Sequence, residues 1–326
     1  MRPLAEKSDY QISRQIKLKD LTILSAVIGL GSMAKAAQRL MLTQPAISQS
    51  IAELEAVTGV RLLERSTRGV VATSFGMALV KRGAEAIDAV RQSLRDLENL
   101  ADPSSGEVSV GASESYIAGG ALSTIIQTMA KRYPRIAVDV SEANTAASDF
   151  EELRNRSVDL MIGRLAGPVR DDDLQETPLF AEAIQVVVGA RHPLAKKRLV
   201  KLEDLVGERW ILAPPRTAVN ELIFNSFLIQ GLPAPKLSIT TYSMQLRMQL
   251  LNSGQYLTAL PVSAVKFNAA RWLLKALPVT IGNDLPVSVV TLKSRIPTPA
   301  VQLFLDQAKL FYANDCQGPV TTPIRR

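Results

Sequence analysis

The chain has 326 residues, 47% of them hydrophobic and 21% charged, with one cysteine and one histidine, which suits a globular protein of two or three domains. Cys316 alone cannot form an intrachain disulfide or a cysteine zinc cluster, and His192, with no Ser or Cys nucleophile motif near it, leaves a His-based triad without support. The formal charge of +7 is uneven, because residues 1–82 carry 12 Lys and Arg against 6 Asp and Glu while the remainder carries 26 against 25.

A basic module on a nearly neutral body is the electrostatic footprint of nucleic-acid binding, with affinity that falls as salt rises. No apolar run reaches the length of a membrane span, and MRPLAEKSDYQISRQIK lacks the apolar core of a signal peptide. The expected location is therefore the cytoplasm, with no membrane partner.

The first expected helix runs from about Leu18 to Leu30 and offers Leu21, Leu24 and Ile28 to a core. Ser32 can cap a second helix, in which Ala34, Ala36, Ala37 and Leu40 form a small-residue surface for close approach. A third helix opens with Thr43 as cap and Pro45 in the first turn, where a missing N–H goes unnoticed. Ile47, Ile51 and Leu54 give it a buried stripe. Gln44, Ser48, Gln49 and Ser50 then fall on open faces as short, uncharged donors and acceptors of the kind that read base edges.

The next segment, GVRLLERSTRGVVATSFG, reads as a β-hairpin wing. Val60, Leu62 and Leu63 suggest a strand, Thr67-Arg68-Gly69 a turn, and Val70-Val71 the return. Arg61, Arg65 and Arg68 would project from it toward phosphates or a minor groove.

From Phe75 to Leu100 there is no proline, and Val80, Ile87, Leu94 and Ala101 recur every seven residues with Val90 and Leu97 in the second seam position. That heptad pattern predicts a helix that pairs with its copy from a second chain, Gly83 either weakening the seam or allowing close approach. Two copies of a reading helix can address both halves of an inverted repeat. Asp102-Pro103-Ser104-Ser105-Gly106 ends the helix as a short linker.

The rest alternates β-rich runs with helical stretches, as a parallel α/β architecture does. Strands are expected at 107–113, 137–143 and 158–164, with helices near Ala121–Tyr133 and Phe150–Arg156. A similar unit follows, with strands at 209–214, 237–243 and 255–263, and helices near Val219–Gln230 and Met244–Asn252. VSVVTLKS at 287–294 and a helix from about Pro299 to Phe311 return to the first lobe.

In open α/β sheets ligands sit beyond the carboxyl ends of strands, where helix N-termini present free N–H groups. That rule selects Ser113, Ser115, Asn144, Thr145 and Arg164 from one lobe, and Arg216, Thr217, Val262 and Ser263 from the other. Two arginines with several hydroxyls suit a small organic anion. Either arginine could instead form a surface salt bridge, with Asp171-Asp172-Asp173 close in sequence to Arg164. The aspartate run and Lys196-Lys197-Arg198 read as solvated loops, and His192 as a loop residue after a strand.

With these residues in view, 16 to about 315 resembles a LysR-type transcriptional regulator, most specifically in AKAAQRLMLTQPAISQSIAELEAVTGVRLLERSTRGVVATSFG. Ala36-Ala37, Leu40, Gln44-Pro45, Ser48, Ile51, Leu54-Glu55, Gly59, Leu62-Leu63, Arg65 and Thr73 follow that family's spacing. Leu63 departs from it, since Phe is common there; the exchange alters packing more than DNA contact.

The resemblance implies an α/β chain overall: a winged helix-turn-helix at 16–73, a dimerisation linker helix at 74–101, and a two-lobed periplasmic-binding-protein-like effector domain at 106–315. Lobe 1 would take about 106–180 and 281–315, and lobe 2 about 181–280. It also implies DNA contacts at Ser32, Thr43, Gln44, Pro45, Ser48, Gln49, Arg61, Arg65 and Arg68, and effector contacts at the nine strand-end positions named above.

The implied partners are double-stranded DNA bearing an interrupted inverted repeat, a small-molecule effector and further copies of the chain, as homodimer and tetramer. The effector class suggested is a small organic acid or sugar; no cofactor, metal or catalytic residue is expected. Two alternatives are an enzyme, or a solute-binding protein, using the two-lobed fold with an accessory basic domain. The absence of a nucleophile motif, metal cluster or phosphate loop counts against the first, and the missing export signal against the second.

Overall fold

The computed structural model describes residues 15–315, apart from 67–68, 103–104, 144, 146–149, 166–167 and 216. Arg68, Asn144, Arg216 and Cys316 lie outside the described residues, and so does the side chain of Arg65. The chain divides in sequence into two compact units, with the break between Leu97 and Glu98.

The first unit holds α1 (Leu18–Leu30), α2 (Met33–Leu40), α3 (Gln44–Thr58), a hairpin of β1 (Leu63–Ser66) and β2 (Gly69–Ala72), and all but the last four residues of the long helix α4 (Ser74–Ala101). Local chemistry sets the boundaries. Asp20 accepts from the Lys17 backbone N–H at 3.3 Å to open α1, Ser32 Oγ accepts from Lys35 N–H at 3.4 Å to open α2, and Thr43 Oγ1 accepts from Ala46 N–H at 3.3 Å to open α3. Each helix ends on a left-handed residue, Gly31, Met41 and Gly59 respectively.

Leu24, Val27, Ala36, Ile47 and Ile51 are fully buried, with Leu54 and Leu62 nearly so. Each large aliphatic side chain taken out of water here stabilises the unit by about 1.5–3 kcal/mol. The wing is tied to this core at both ends. Glu55 accepts from the backbone N–H groups of Leu62 (2.8 Å) and Leu63 (3.2 Å), and Val70 N–H donates to Gly31 C=O at 3.0 Å. Gly69, at φ 127°, passes so near that a Cβ would lie 2.8 Å from the Gly31 carbonyl oxygen, so the close approach requires glycine.

Two local expectations change. Ala34 is exposed, so the buried small surface of α2 is Ala36 and Ala37. Ser50 is buried rather than open, its hydroxyl donating to the buried Asp20 carboxylate at 2.8 Å.

The heptad helix exists over its whole predicted length, but its first half belongs to this unit. Leu79 and Val80 pack on the core, and a Cβ at Gly83 would lie 3.3 Å from Leu21 Cβ. The close approach at Gly83 is therefore made to α1. Farther along, Val90, Leu94 and Leu97 are exposed.

In the second unit the strands β3 (Ser105–Ala112), β4 (Arg135–Glu142), β5 (Leu160–Gly163), β6 (Leu174–Gly189), β7 (Arg209–Leu212), β8 (Lys236–Thr240), β9 (Leu257–Pro261), β10 (Leu274–Ala276) and β11 (Ile281–Leu292) join one sheet. Its order is β4-β3-β5-β11-β6-β9-β7-β8, with β10 also on β6. The outer groups β4-β3-β5 and β9-β7-β8 are parallel, as expected of α/β units, whereas β6 and β11 run antiparallel to each other and to their neighbours.

Those two long strands cross between two cores. Leu179 and Phe180 of β6 and Val287 and Val289 of β11 pack in one, while Ile184, Val186 and Val188 of β6 and Ile281 and Leu285 of β11 pack in the other. Two lobes thus share two continuous strands, which is how a hinge is built between α/β halves. The first lobe carries α5 (Glu114–Ile117), α6 (Ala121–Arg132), α7 (Glu151–Arg154) and α11 (Pro299–Asp315); the second carries α8 (Ala218–Ile229), α9 (Met244–Leu251) and α10 (Val262–Trp272).

The sixteen-residue β6 and the helix at Val262 were not expected. In LQETPLFAEAIQVVVG the apolar residues lack strict alternation, because the strand changes the face and the lobe that cover it along its length.

Candidate nucleic-acid interface and ligand cleft

Along α3 the buried stripe of Ile47, Ile51 and Leu54 turns the opposite edge outward. Gln44, Pro45, Ala46 and Gln49 are exposed on it, and Gln49 Nε2 donates to Glu53 Oε1 at 3.0 Å. Ser48 is half-buried, with its hydroxyl 3.4 Å from Met33 Sδ, a weak acceptor that leaves the oxygen able to take another partner. Ser32 and Thr43 spend an oxygen lone pair on their caps.

Arg61 is exposed just before β1, and its backbone carbonyl accepts from Thr73 Oγ1 at 2.8 Å. Lys35 and Arg39 of α2 are exposed as well. A polar helix edge with arginine and lysine beside it can place hydrogen-bonding groups on base edges and cations on phosphates.

In the second unit a cavity of about 380 Å³ opens at the carboxyl ends of the strands. Ser113, Ser115, Thr145, Arg164 and Thr217, five of the nine expected ligand residues, line it. Val262 begins α10 without lining the cavity, because the chain turns into a helix directly after Pro261 and carries that side chain away. Ser263 does not line it either; its backbone N–H and hydroxyl both go to Glu182.

Close packing fixes the floor. A Cβ on Gly163 would lie 2.7 Å from Ser113 Oγ and 2.8 Å from Thr145 Oγ1. Thr145 Oγ1 donates to the Arg164 carbonyl at 3.0 Å, whereas Ser113 Oγ is buried with no hydrogen-bond partner among the described residues. On the other lobe Thr217 Oγ1 caps α8 by accepting from Asn220 N–H at 3.4 Å.

Arg164 is buried and ion-paired through Nη2 with Glu182 of the crossing strand β6. The aspartate run is not its partner: Asp171 and Asp173 hold Arg154 instead, at 3.0 and 3.1 Å. Glu182 also accepts from Ser263 N–H at 2.8 Å and Ser263 Oγ at 3.0 Å. Burial lowers the Arg164 pKa and the Glu182 charge opposes that shift. Arg164 Nε and Nη1 are buried without hydrogen-bond partners among the described residues.

Glu114, Glu142, Tyr242 and Arg247 also line the cavity and were not expected. Glu114 sits between the selected Ser113 and Ser115, so position alone could have found it. Arg247 lies four residues after Ser243, the cap of α9; no local pattern marks such an arginine as buried.

His192 is the loop residue after a strand that the sequence suggests, lying just past β6, and it is buried there. Its Nδ1 accepts from Leu194 N–H at 3.2 Å at the start of a short 3₁₀ turn, and burial lowers its pKa against the opposing effect of Glu208.

A family model described as the LysR substrate binding domain matches residues 101–311, and one described as the bacterial regulatory helix-turn-helix protein, lysR family, matches residues 18–77. The transcriptional regulator YdcI of Escherichia coli K12 is 29% identical over 280 residues, covering 86% of this chain and 90% of YdcI. PcaQ of Agrobacterium fabrum, also a transcriptional regulator, is 29% identical over 273 residues, 83% of this chain and 87% of PcaQ.

Among solved structures, CbnR, a LysR family transcriptional regulator, is similar at a TM-score of 0.65 and 21% identity, over 91% of this chain and 99% of CbnR; this is a likeness of fold. A full-length BenM mutant is similar at a TM-score of 0.52 and 25% identity, over 92% and 97%.

Proposed function

We propose that this chain, which belongs to the LysR family of transcriptional regulators, reads DNA through the outer edge of α3 and the wing, and senses a small organic acid or sugar in the cleft between its lobes. It is a regulator with an effector-binding domain and not an enzyme. The observation that carries the reading is α3 itself: capped by Thr43, anchored by Ile47, Ile51 and Leu54, and presenting Gln44, Pro45, Ser48 and Gln49.

In this reading Gln44, Ser48 and Gln49 touch base edges, Pro45 and the capping residues Ser32 and Thr43 set the helix end against the duplex, and Arg61, Arg65 and Arg68 meet phosphates or the minor groove. The exposed Val90, Leu94 and Leu97 of α4 pair with a second copy. The dimer addresses an interrupted inverted repeat, and dimers pair into tetramers. An effector held unequally by two lobe arrangements shifts the population between them and so the spacing of the DNA-reading pairs.

Ser113, Ser115, Asn144, Thr145, Arg164, Arg216, Thr217 and Ser263 form or support the effector site. Among the described residues no helix is long and apolar enough to cross a membrane.

A gel shift with DNA from upstream of the chain's own coding region tests the reading. A retarded band that weakens with salt is expected, and no shift at any salt overturns it. Gln44→Ala should lower discrimination between sites by about 1–3 kcal/mol for one lost base contact. Arg61→Ala should weaken all sequences alike and reduce the salt slope by about 1. An unchanged site-selection profile for Gln44→Ala would remove that residue from the groove.

A further inference from the structure

The N-terminus of α9 faces the cavity from the second lobe, and the group that answers it comes from the first. Ser243 caps the helix, its hydroxyl accepting from Leu246 N–H at 3.3 Å. The Met244 N–H, one of the first-turn donors that a helix leaves without an internal partner, donates to Glu114 Oε1. Glu114 opens α5 at the end of β3, so this single bond bridges the lobes across the cavity.

The second observation is independent of the helix end. Arg247 is 6% exposed, lines the same cavity and donates through Nη2 to Thr241 C=O at 2.8 Å, while its Nε is buried with no hydrogen-bond partner among the described residues. Arg247 and Glu114 attract each other as charges, without a hydrogen bond between them. Glu114 is poorly suited to the position it holds: its Oε2 is buried and unpartnered, and Glu142, at the end of the neighbouring strand β4, repels it. Burial raises the Glu114 pKa, the Met244 bond working the other way.

We propose that the α9 N-terminus, through Met244 N–H and the Arg247 guanidinium, is a carboxylate subsite of the effector cleft, and that Glu114 is its built-in occupant, displaced when a carboxylate-bearing effector binds. The inference rests on the reading of the cavity as the effector cleft, and it deepens that reading by assigning the effector a carboxylate and that carboxylate a place. Exchange of Glu114 for the ligand's carboxylate replaces a lobe-to-lobe bond by a ligand bridge. The Met244 N–H has an acceptor in both states, so the helix end stays satisfied while the direct Glu114 link is lost; Asn268 Nδ2 of the second lobe still donates to the Ala118 carbonyl of the first at 2.8 Å. A neutral sugar leaves Glu114 in place.

The test uses acetate as probe on the full chain, so it does not depend on knowing the natural effector. Glu114→Ala empties the subsite. Sodium acetate, compared with sodium chloride at equal ionic strength, is expected to raise the melting temperature of Glu114→Ala by several degrees more than that of the unsubstituted chain, roughly the effect of a ligand at a few times its Kd. Glu114→Ala with Arg247→Met should lose the gain. Equal acetate responses in Glu114→Ala and the unsubstituted chain overturn the proposal.

Because removing a half-buried side chain can unfold a lobe, Glu114→Gln provides a second reading. It keeps the volume and an acceptor but loses the charge. Amide exchange at Met244 is expected to rise about fivefold as a charge-assisted bond becomes a neutral one, and unchanged protection overturns the latch. If acetate fails while a metabolite panel still stabilises the chain through Thr217 and Ser113, only the subsite falls. If no metabolite acts, the effector cleft itself is in question.

Discussion

Glu182 is the residue on which the two lobes converge, and Glu182→Ala is the most exposing perturbation of the sensor. Its carboxylate takes the Arg164 guanidinium, the Ser263 backbone N–H and the Ser263 hydroxyl. The Arg164 side chain is only 5% exposed and that of Glu182 10%. Removing the carboxylate leaves a guanidinium buried without its counter-charge, which costs about 3–5 kcal/mol when one partner of a buried pair is deleted.

Replacing both members, as in Arg164→Met with Glu182→Leu, removes the stranded charge and leaves mainly the Ser263 N–H unsatisfied, about 1–3 kcal/mol. The double variant should therefore be more stable than Glu182→Ala alone. Urea unfolding of the full chain followed by far-UV circular dichroism measures the difference. A companion melt should show Glu182→Ala falling by roughly 6–20 °C, at about 2–4 °C per kcal/mol for a unit of this size. A loss below about 1 kcal/mol for Glu182→Ala, or a double variant no more stable than the single one, would refute the assignment of Arg164 as a charge held in the hinge by Glu182.

Two further outcomes follow from the same packing. Gly163→Ala drives a methyl group into Ser113 Oγ and Thr145 Oγ1 and should destabilise the second unit by about 1–3 kcal/mol through overpacking; adding Ser113→Ala should recover part of that loss in the same urea titration, and no recovery would show that the clash lies elsewhere. His192 stays neutral in the fold because burial holds its pKa below the ordinary 6.5. The unfolded chain then binds more protons as pH drops through 6.5, so stability should be flat above that value and decline below it until the folded pKa is passed. His192→Gln should remove this part of the slope, and identical pH profiles for the two chains would exclude it.

How much of the structure is legible in the chain depends on how far apart the interacting residues lie. In the first unit α1 matches its predicted extent and α2 and α3 open directly after their predicted caps Ser32 and Thr43, because caps, Pro45 and the apolar spacing act within one or two turns. Even there a long-range contact mattered: Ser50 looks like its neighbours Ser48 and Gln49 in sequence, and only the packing of α1 on α3 brings Asp20 to it and buries both. In the second unit most strands were legible from short apolar runs, and the strand-end rule located Ser113, Ser115, Thr145, Arg164 and Thr217 at one cavity.

Local capping, periodicity and composition suffice for the helix-turn-helix, its basic surround, the reach of α4 and the alternation of strands and helices. Long-range packing, by contrast, gives Arg164 to Glu182, brings Glu114 to Met244 and buries Arg247 at the cavity. The pairing of β6 with β11 joins segments about a hundred residues apart, and Glu114 lies 130 residues from Met244. A charged side chain carries no local sign of the partner that will desolvate it; burial and counter-charge arise together when distant segments close on each other.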